Sequence, residues 1–183
     1  EFDEVIFATH ADITRKILGD EASEIEKSVL DDFTYTKNLV VLHQDEKLMP
    51  KRRNAWASWN YLSQERNSKN QLCVSYYMNL LQCLKTDADY FVTLNPICEI
   101  DPKKTIKSIS FEHPYFDAKA LAAQKKLPNI QGIKNTYYCG SYFGYGFHED
   151  ALQSGLLIAE LIGGIKRPWD FDFAKSRIPN MSI

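Results

Sequence analysis

The residues best suited to chemistry lie together in a glycine- and aromatic-rich stretch, residues 138–155. Glycines stand at 140, 144 and 146, and the pattern predicts a strand, a loop and then a helix that begins near Glu149. Glycine lets the backbone turn or approach another group closely, and the first-turn N–H groups of a helix carry partial positive charge. We therefore predict that this stretch holds a phosphate or another negatively charged part of a ligand.

The same stretch fits other chemistries less well. Its glycines run G-x-x-x-G-x-G, whereas the primary dinucleotide-binding fingerprint is G-x-G-x-x-G. A hydrolase that uses Ser141 and His148 would need glycines two residues before and after the serine, where Cys139 and Phe143 stand. His148 and the two acidic residues after it are metal-ligand types, but adjacent residues on a helix point in different directions, so we predict no metal site. A structural loop with a capped helix stays open as the alternative.

The start of the chain predicts a second ligand-facing turn. Residues 5–8 are an apolar run typical of a strand buried on both faces of a parallel sheet. Thr9 and Asp12 then form the pattern of a capping box at the start of a helix. Because ligands of open α/β sheets bind at the carboxyl ends of strands, Thr9 and His10 are candidate ligand contacts. An ordinary strand-to-helix turn is the alternative.

The middle of the chain predicts a mostly antiparallel sheet. Segments rich in β-branched and aromatic residues alternate there with polar or proline-containing connections. The five predicted strands cover residues 39–43, 55–62, 72–78, 90–94 and 105–111, and a short helix covers 79–84.

Helices flank these strands in the sequence. Asp20 is predicted to cap one helix and Asp117 to cap another, which Pro128 terminates. The inner face of the first helix is predicted to carry Ala22, Ile25, Val29 and Phe33. After a strand at 136–139, the last helix covers 149–162, and its small residues form a stripe that permits close approach to a sheet. That stripe comprises Ala151, Gly155 and Ala159.

Aromatic side chains cluster on neighbouring predicted strands. The set comprises Trp56, Trp59, Asn60, Tyr61, Tyr76 and Tyr77. It predicts an apolar cavity with one amide to orient a small-molecule substrate, or else the packed face of a sheet. His148 precedes a helix in the glycine-rich stretch, so it is a candidate to shuttle a proton or position the substrate. Helix capping or packing is the alternative role for His148.

Bulk composition limits the partners and the location. The net charge of -2 and the isoelectric point of about 6.1 give no basis for binding nucleic acid or an anionic membrane surface. The most apolar stretch, residues 151–165, is too short and too interrupted for stable membrane insertion. The four cysteines form no C-x-x-C pair, which indicates free thiols in a reducing compartment and predicts a cytoplasmic protein.

Residues 138–155 resemble the C-terminal flavin-contacting motif of the flavin amine-oxidase superfamily, which leads from a strand through glycines into a helix. The matching positions are Gly140, Gly146, Glu149, Ala151, Ser154 and Gly155. The opening residues 3–9 resemble the strand that returns from the cofactor domain of that superfamily to its substrate domain. A bacterial subfamily described as predicted NAD/FAD-binding, amine-oxidase-like proteins is similar over nearly the whole chain. Its similar segments are residues 8–12, 55–61, 93–96, 130–132 and 144–150.

The resemblance implies a cofactor and the residues that contact it. FAD would lie between an N-terminal βαβ unit and the helix that begins near Glu149, and the middle sheet would roof the substrate cavity. The implied cofactor contacts are Thr9, His10, Gly140, Ser141, Gly144, Gly146, His148, Glu149, Asp150, Ala151 and Ser154. The implied substrate contacts are Trp56, Trp59, Asn60 and Tyr76, with His148 as the candidate catalytic residue.

We predict an α+β fold in two kinds of domain. A mostly antiparallel substrate-domain sheet with helices is assigned to residues 19–129. Residues 1–18 and 130–183 are predicted to be terminal strand–helix pieces of an FAD-binding α/β domain, and these pieces should pack together despite their distance in sequence.

The predicted function is that of the C-terminal fragment of an FAD-dependent oxidoreductase. The full-length protein would oxidise a hydrophobic or amine substrate by hydride transfer to flavin, and its missing N-terminal dinucleotide-binding half is the predicted partner of this chain. Alone, the fragment is expected to be inactive, to lack FAD and to self-associate through exposed apolar surface. The alternative is a non-enzymatic ligand-binding or interaction domain with an aromatic pocket.

Overall fold

A computed structural model describes residues 2–66, 69–170 and 176–179, and the chain has an α+β fold. Besides short 3-10 turns, its elements in chain order are β1 (Val5–Phe7), α1 (Ala11–Leu18), α2 (Glu24–Leu30), β2 (Thr34–His43), β3 (Trp59–Arg66), β4 (Lys69–Tyr77), α3 (Met78–Leu81), β5 (Phe91–Leu94), β6 (Thr105–Tyr115), α4 (Ala118–Gln124), β7 (Thr136–Tyr138) and α5 (His148–Gly163). No helix within the described ranges is long and apolar enough to cross a membrane.

The chain divides into two compact units. The first unit comprises Glu1–Thr36 and His113–Ile183, and the second comprises Lys37–Glu112. These boundaries differ from the predicted ones at 18/19 and 129/130. The difference arises because α2 and α4 contribute buried side chains to the same hydrophobic cluster as β7 and α5, so both helices belong to the first unit.

β1 and β7 form a two-stranded parallel sheet, with Ile6 opposite Tyr137. The prediction that the two terminal strands pack together is therefore confirmed. The prediction that β1 is buried on both faces is wrong for this chain, because Val5 and Ile6 are 40% and 50% exposed. β1 has only β7 as a neighbour among the described strands.

The other five strands form a second sheet, in the order β3-β4-β5-β2-β6. Pairing is antiparallel from β3 through β4 and β5 to β2, so the predicted five-stranded antiparallel sheet is confirmed. β3 begins at Trp59 rather than at residue 55. The strand begins later than predicted for a local reason. Residues 53–55 form a 3-10 turn, and the Asn60 amide then bonds to the backbone of Ala57.

Two of the three predicted helix caps differ from the structure. Ser23, not Asp20, caps α2, because its hydroxyl and the Glu26 carboxylate complete a reciprocal capping box. Ile25 on that helix is 41% exposed rather than inward. Asp117 caps α4 as predicted, and its carboxylate accepts the N–H of Ala120 at 2.9 Å.

The predicted capping box of Thr9 and Asp12 at α1 is wrong. The hydroxyl of Thr9 lies 2.7 Å from that of Thr14, and α1 has no side-chain cap. The N–H of Ala11 donates instead to the Tyr35 hydroxyl at 2.9 Å. Burial, which outweighs this hydrogen bond, raises the pKa of Tyr35 to about 12, so the phenol stays neutral at the helix start.

Candidate functional site

The two predicted ligand-facing turns meet at the carboxyl ends of the β1–β7 pair. Because the strands run parallel, the turn after β1 and the loop after β7 leave the sheet at the same edge. The N–H of Cys139 continues the pairing by donating to the carbonyl of Phe7 at 3.0 Å. A Cβ placed on Gly140 would lie 3.5 Å from the carbonyl oxygen of Thr9, so the two turns are in direct contact.

Ser154 fastens the glycine-rich loop to α5. Its hydroxyl accepts the N–H of Gly140 at 2.9 Å and lies within donating distance of the carbonyls of Ala151 and Gly140, at 2.9 and 3.2 Å. Ser154 is fully buried. The structure thus brings together Gly140, Ala151 and Ser154 of the predicted cofactor set.

The side chain of Asp150 is buried inside the glycine-rich loop. One carboxylate oxygen accepts the N–H groups of Tyr145 and Phe147, at 2.9 and 3.0 Å, and the side chain is 2% exposed. A Cβ on Gly144 would overlap this carboxyl group, so Gly144 is required for the carboxylate to fit. The space beside Gly144 is therefore filled by the Asp150 side chain of the protein rather than left for a ligand.

The rest of the loop is held by residues that sequence reasoning missed. The buried amide of Gln124, on α4, donates to the carbonyls of Tyr142 and Gly144. Gly146 adopts φ +89°, and a Cβ there would lie 3.1 Å from the ring of Phe116. Nothing in the local sequence pattern indicates that Gln124 reaches this loop, since the contact depends on where α4 packs.

The surface of the loop is aromatic and carries one cation. Tyr145 and Phe147 are 57% and 55% exposed, and the guanidinium of Arg177 lies over both rings, at 5.6 and 5.3 Å from their centroids. Arg177 also pairs with Asp150 at 3.2 Å. This residue too was missed, because the order of the sequence does not show that the end of the chain returns to the loop.

The remaining predicted cofactor contacts lie at the start of α5, in the loop before it and at the start of α1. His148 and Glu149 are exposed in the first turn of α5, where Glu149 accepts a bond from Gln153 at 2.6 Å. Ser141 is half-buried, and its carbonyl accepts the N–H groups of the glycines at 144 and 146. His10 is half-buried and stacks on Tyr35 with ring centroids 4.4 Å apart.

The predicted substrate residues divide between the two faces of the sheet in the second unit. Side chains alternate along a strand, and the register places Trp59 opposite Tyr76, with their rings 5.5 Å apart. Asn60 points to the opposite face, where its amide is bonded to the backbone of Ala57 and Ser75. Trp56 packs on that opposite face against the rings of Tyr77 and Phe91.

The face shared by Trp59 and Tyr76 is apolar and open. Trp59, Tyr61 and Leu72 are 52%, 64% and 57% exposed. By register, the same face carries Leu42, Val74, Val92 and Leu94, all of them half-buried. We call this surface the open aromatic face; it offers an apolar ligand or partner a broad contact area.

Comparison with known proteins identifies no family. No protein-family model matches the chain, and no curated protein matches it. Among solved structures, the fold is similar to the crystal structure of the CLA-producing fatty acid isomerase from P. acnes, with a TM-score of 0.47 and 14% sequence identity. The similarity covers 82% of this chain and 39% of that protein. A likeness at this level does not carry a function from one protein to the other.

The start of α5 combines free backbone N–H groups with charges of both signs, because Glu149 and Asp150 lie in its first turn and Arg177 pairs with Asp150. Among residues 2–66, 69–170 and 176–179, no acceptor meets the N–H groups of His148 and Glu149 at the start of α5. Unpaired N–H groups at a helix N-terminus are a common binding site for anions, and the guanidinium of Arg177 lies 5.3 Å from the ring of Phe147, the residue before them. Within the same ranges, no three His, Cys, Asp or Glu side chains are grouped so that they could hold a metal ion.

A row of buried polar side chains crosses β4, β5 and β2 in the second unit. The hydroxyls of Ser75 and Thr93 lie 2.7 Å apart, and Thr93 lies 2.7 Å from Nε2 of His43. Nδ1 of His43 accepts the N–H of Asp45 at 3.1 Å. His43 therefore donates from Nε2 and is neutral, and burial lowers its pKa despite the opposing charge of Asp45.

We expect acid to destabilise the second unit through His43. Its pKa in the fold lies below the ordinary 6.5, so the unfolded chain binds a proton first and stability falls as the pH drops below about 6.5. Thermal unfolding measured from pH 7 to pH 5 should show a smaller loss of stability for His43→Gln than for the wild type. His148→Gln, at an exposed histidine, is the matched control and should follow the wild type. Parallel curves for all three proteins would contradict the assignment.

Proposed function

We propose that this chain is the C-terminal part of an FAD-dependent oxidoreductase that resembles the flavin amine-oxidase superfamily. The observation that carries the proposal is the parallel β1–β7 pair, whose carboxyl ends lead into α1 and into the glycine-rich loop and α5. This is the arrangement in which α/β proteins bind ligands at helix N-termini.

The exposure of β1 supports the proposal that a further segment packs against it. Parallel sheets are normally covered on both faces, and two-stranded sheets are only marginally stable alone. Here Val5 and Ile6 are half or nearly half exposed, and Leu152 on α5 is 56% exposed. A Cβ on Gly155 would meet nothing within 4 Å, so the small-residue side of α5 is also uncovered by the described residues. An N-terminal dinucleotide-binding half would cover these surfaces.

The backbone N–H groups at the start of α5 fit one requirement of FAD, which is a set of hydrogen-bond donors for its electron-rich parts. The unpaired N–H groups of His148 and Glu149 would hold an electron-rich part of the cofactor, whereas the charge of Arg177 is offset by its pair with Asp150. Gly144 and Gly146 contribute to the shape of the loop, because Asp150 and Phe116 occupy the space beside them. When bound, FAD supplies the hydride acceptor for the oxidation.

We assign further roles in the proposed reaction to His148 and to the open aromatic face. His148 is exposed beside the same helix start, where its imidazole would hold or move a proton at Nε2 or Nδ1. The open aromatic face, with Trp59 and Tyr76, would contact the apolar part of a hydrophobic or amine substrate. Asn60 would not contact the substrate in this arrangement, because its amide is already bonded to the backbone.

The open aromatic face also favours a second candidate function. Three large side chains on it, Trp59, Tyr61 and Leu72, are more than half exposed. A non-enzymatic domain that binds an apolar ligand or partner through this face would need neither flavin nor an N-terminal half. Absence of flavin from every form of the protein would favour it.

We expect visible flavin absorbance in the protein expressed with all upstream sequence that its gene encodes, and none in the 183-residue chain alone. Gly155→Leu tests the docking surface. Nothing lies within 4 Å of a Cβ at this position, so the isolated chain should keep its stability while the longer protein loses flavin. Gly163→Leu makes the same change where a Cβ also meets nothing within 4 Å, at the far end of α5, and should retain flavin. Equal flavin content in all the longer proteins would contradict the proposed contact.

A further inference from the structure

A cavity in the second unit lies apart from the glycine-rich loop and the open aromatic face. Its volume is about 440 Å³, which falls within the range of roughly 300–1,000 Å³ that small-molecule sites occupy. Leu39 and Val41 of β2 form one wall, residues 96–100 form another, and two residues of β6 complete it. Leu39 and Val41 alternate with Leu42, so the cavity lies on the sheet face opposite the open aromatic face.

The wall of residues 96–100 is fastened to the sheet at both ends. At one end, the backbone N–H of Asn95 donates to the carbonyl of Leu39 at 2.8 Å, and the Asn95 side chain accepts the N–H of Leu39 at 3.1 Å. At the other end, the N–H of Asp101 donates to the Asp45 carboxylate at 3.0 Å. The protein's own bonds therefore form the cavity, and a ligand that enters it has little chain left to order.

One part of the cavity lining is apolar. It consists of Leu39, Val41, Pro96, Ile97 and Ile100. Leu39 is 48% exposed whereas Val41 is 4% exposed, so the cavity extends from the solvent to a buried side chain of the sheet. Such a lining favours the hydrocarbon part of a small molecule, because the contact removes apolar surface from water.

The polar part of the lining favours a cationic group over an anionic one. It consists of Cys98, Glu99, Thr105 and Ser108. Among the described residues that line the cavity, Glu99 is the only one with a charged side chain. The hydroxyl of Thr105 already donates to a backbone carbonyl at 3.1 Å, so its oxygen is left to accept a further bond. Lys47 is close but does not line the cavity, and its ammonium donates to the backbone carbonyl of Glu99 at 3.4 Å. An ammonium group in the cavity thus meets a carboxylate and a hydroxyl acceptor, whereas an anion meets a like charge.

We propose that this cavity is a binding site for a small amine that carries a compact hydrocarbon group. The hydrocarbon group packs against Val41 and Ile97, and the ammonium group pairs with the carboxylate of Glu99 at the solvent side, where Glu99 is exposed. Because this pair stays in contact with water, it strengthens binding only about two- to fivefold. The site is independent of the proposed flavin function, since every lining residue belongs to the second unit.

The test is a nuclear magnetic resonance titration of the isotope-labelled 183-residue chain with three probes of similar size. Cyclohexylmethylamine is cationic at neutral pH, cyclohexylmethanol is neutral and cyclohexanecarboxylate is anionic. We expect saturable shift changes at Val41 and Ile97 and the tightest binding for the amine. Glu99→Gln should weaken binding of the amine about two- to fivefold and leave binding of the alcohol unchanged. Glu46→Gln, which alters an exposed acid outside the lining, is the matched control and should change neither.

Four outcomes would overturn the proposal. The amine could cause no saturable shift change at the cavity, or could shift only Trp59 and Leu72, which would place it on the open aromatic face. The alcohol or the carboxylate could bind as tightly as the amine, or Glu99→Gln could leave the affinity for the amine unchanged. The first three outcomes are measured on the wild-type chain, so impaired folding of a variant cannot mask them.

Discussion

Replacing Glu26 with alanine is expected to cost about 3 kcal/mol or more of the free energy of unfolding, because its buried carboxylate accepts several hydrogen bonds and a bond to a charged group contributes roughly 1.5–3 kcal/mol. Glu26 is 3% exposed, yet its carboxylate accepts bonds from the backbone N–H and the hydroxyl of Ser23, each at 2.7 Å, and from the Tyr138 hydroxyl. Tyr138 is fully buried, so its hydroxyl would lose its acceptor inside the core. Urea unfolding at neutral pH measures the loss.

A double-mutant cycle separates the two parts of this effect. Tyr138→Phe alone should cost less than Glu26→Ala, and adding Tyr138→Phe to Glu26→Ala should cost little more, because the stranded hydroxyl is gone. Glu24→Ala, which removes an exposed carboxylate paired with Lys27, is the control and should change stability far less than Glu26→Ala. Additive costs for the two core substitutions would contradict the coupling.

The same carboxylate predicts acid sensitivity in the first unit. Burial acts to raise the pKa of Glu26, but the bonds from Tyr138 and Ser23 prevail and hold the pKa below 4.5. Because the folded pKa is the lower one, the stabilisation is complete above about pH 4.5 and is lost as the pH falls through the folded value. This window lies below the one expected for His43, so the two residues can be distinguished by pH alone.

Elements with a strong local pattern could be predicted from the sequence. The five strands of the antiparallel sheet follow from runs of β-branched and aromatic residues between polar connections. The cap at Asp117 follows from a single residue type at a helix start. The pairing of β1 with β7 is different, because it was inferred from a resemblance; three-residue strands do not specify a neighbour.

Errors arose where two local patterns competed. Asp20 and Ser23 are both good N-cap residues, but only Ser23 has a glutamate three positions later that reaches back to it. The aromatic set was predicted as one surface, although strict alternation along β3 already separates Trp59 from Asn60. Both distinctions are present in the sequence.

Other features of the site depend on tertiary packing and have no local signature. Gln124 and Arg177 reach the glycine-rich loop from α4 and from the end of the chain. The exposure of β1 depends on which strands lie beside it. The glycines at 144 and 146 predict close approach of other groups, but the pattern of glycines does not identify those groups, which are Asp150 and Phe116.

Asp150→Ala should destabilise the first unit by about 3 kcal/mol or more, because the carboxylate accepts two N–H groups and a bond to a charged acceptor contributes roughly 1.5–3 kcal/mol. In Asp150→Asn, the amide oxygen can take the place of the oxygen that serves Tyr145 and Phe147. Only the pair with Arg177, whose side chain is 40% exposed, is then lost, at a cost of less than about 1 kcal/mol. Thermal and urea unfolding of both variants measure the difference.

Gly144 provides an internal check on this assignment. Gly144→Ala should be strongly destabilising in the wild type, because its Cβ would overlap the Asp150 carboxyl group, and much less so when Asp150→Ala has removed that group. Equal costs in the two backgrounds would contradict the packing. The comparison also bears on the predicted cofactor role of Asp150. If Asp150→Asn in the longer protein keeps both its stability and its flavin, the carboxylate shapes the loop; if it keeps its stability and loses flavin, the charge itself contacts the cofactor.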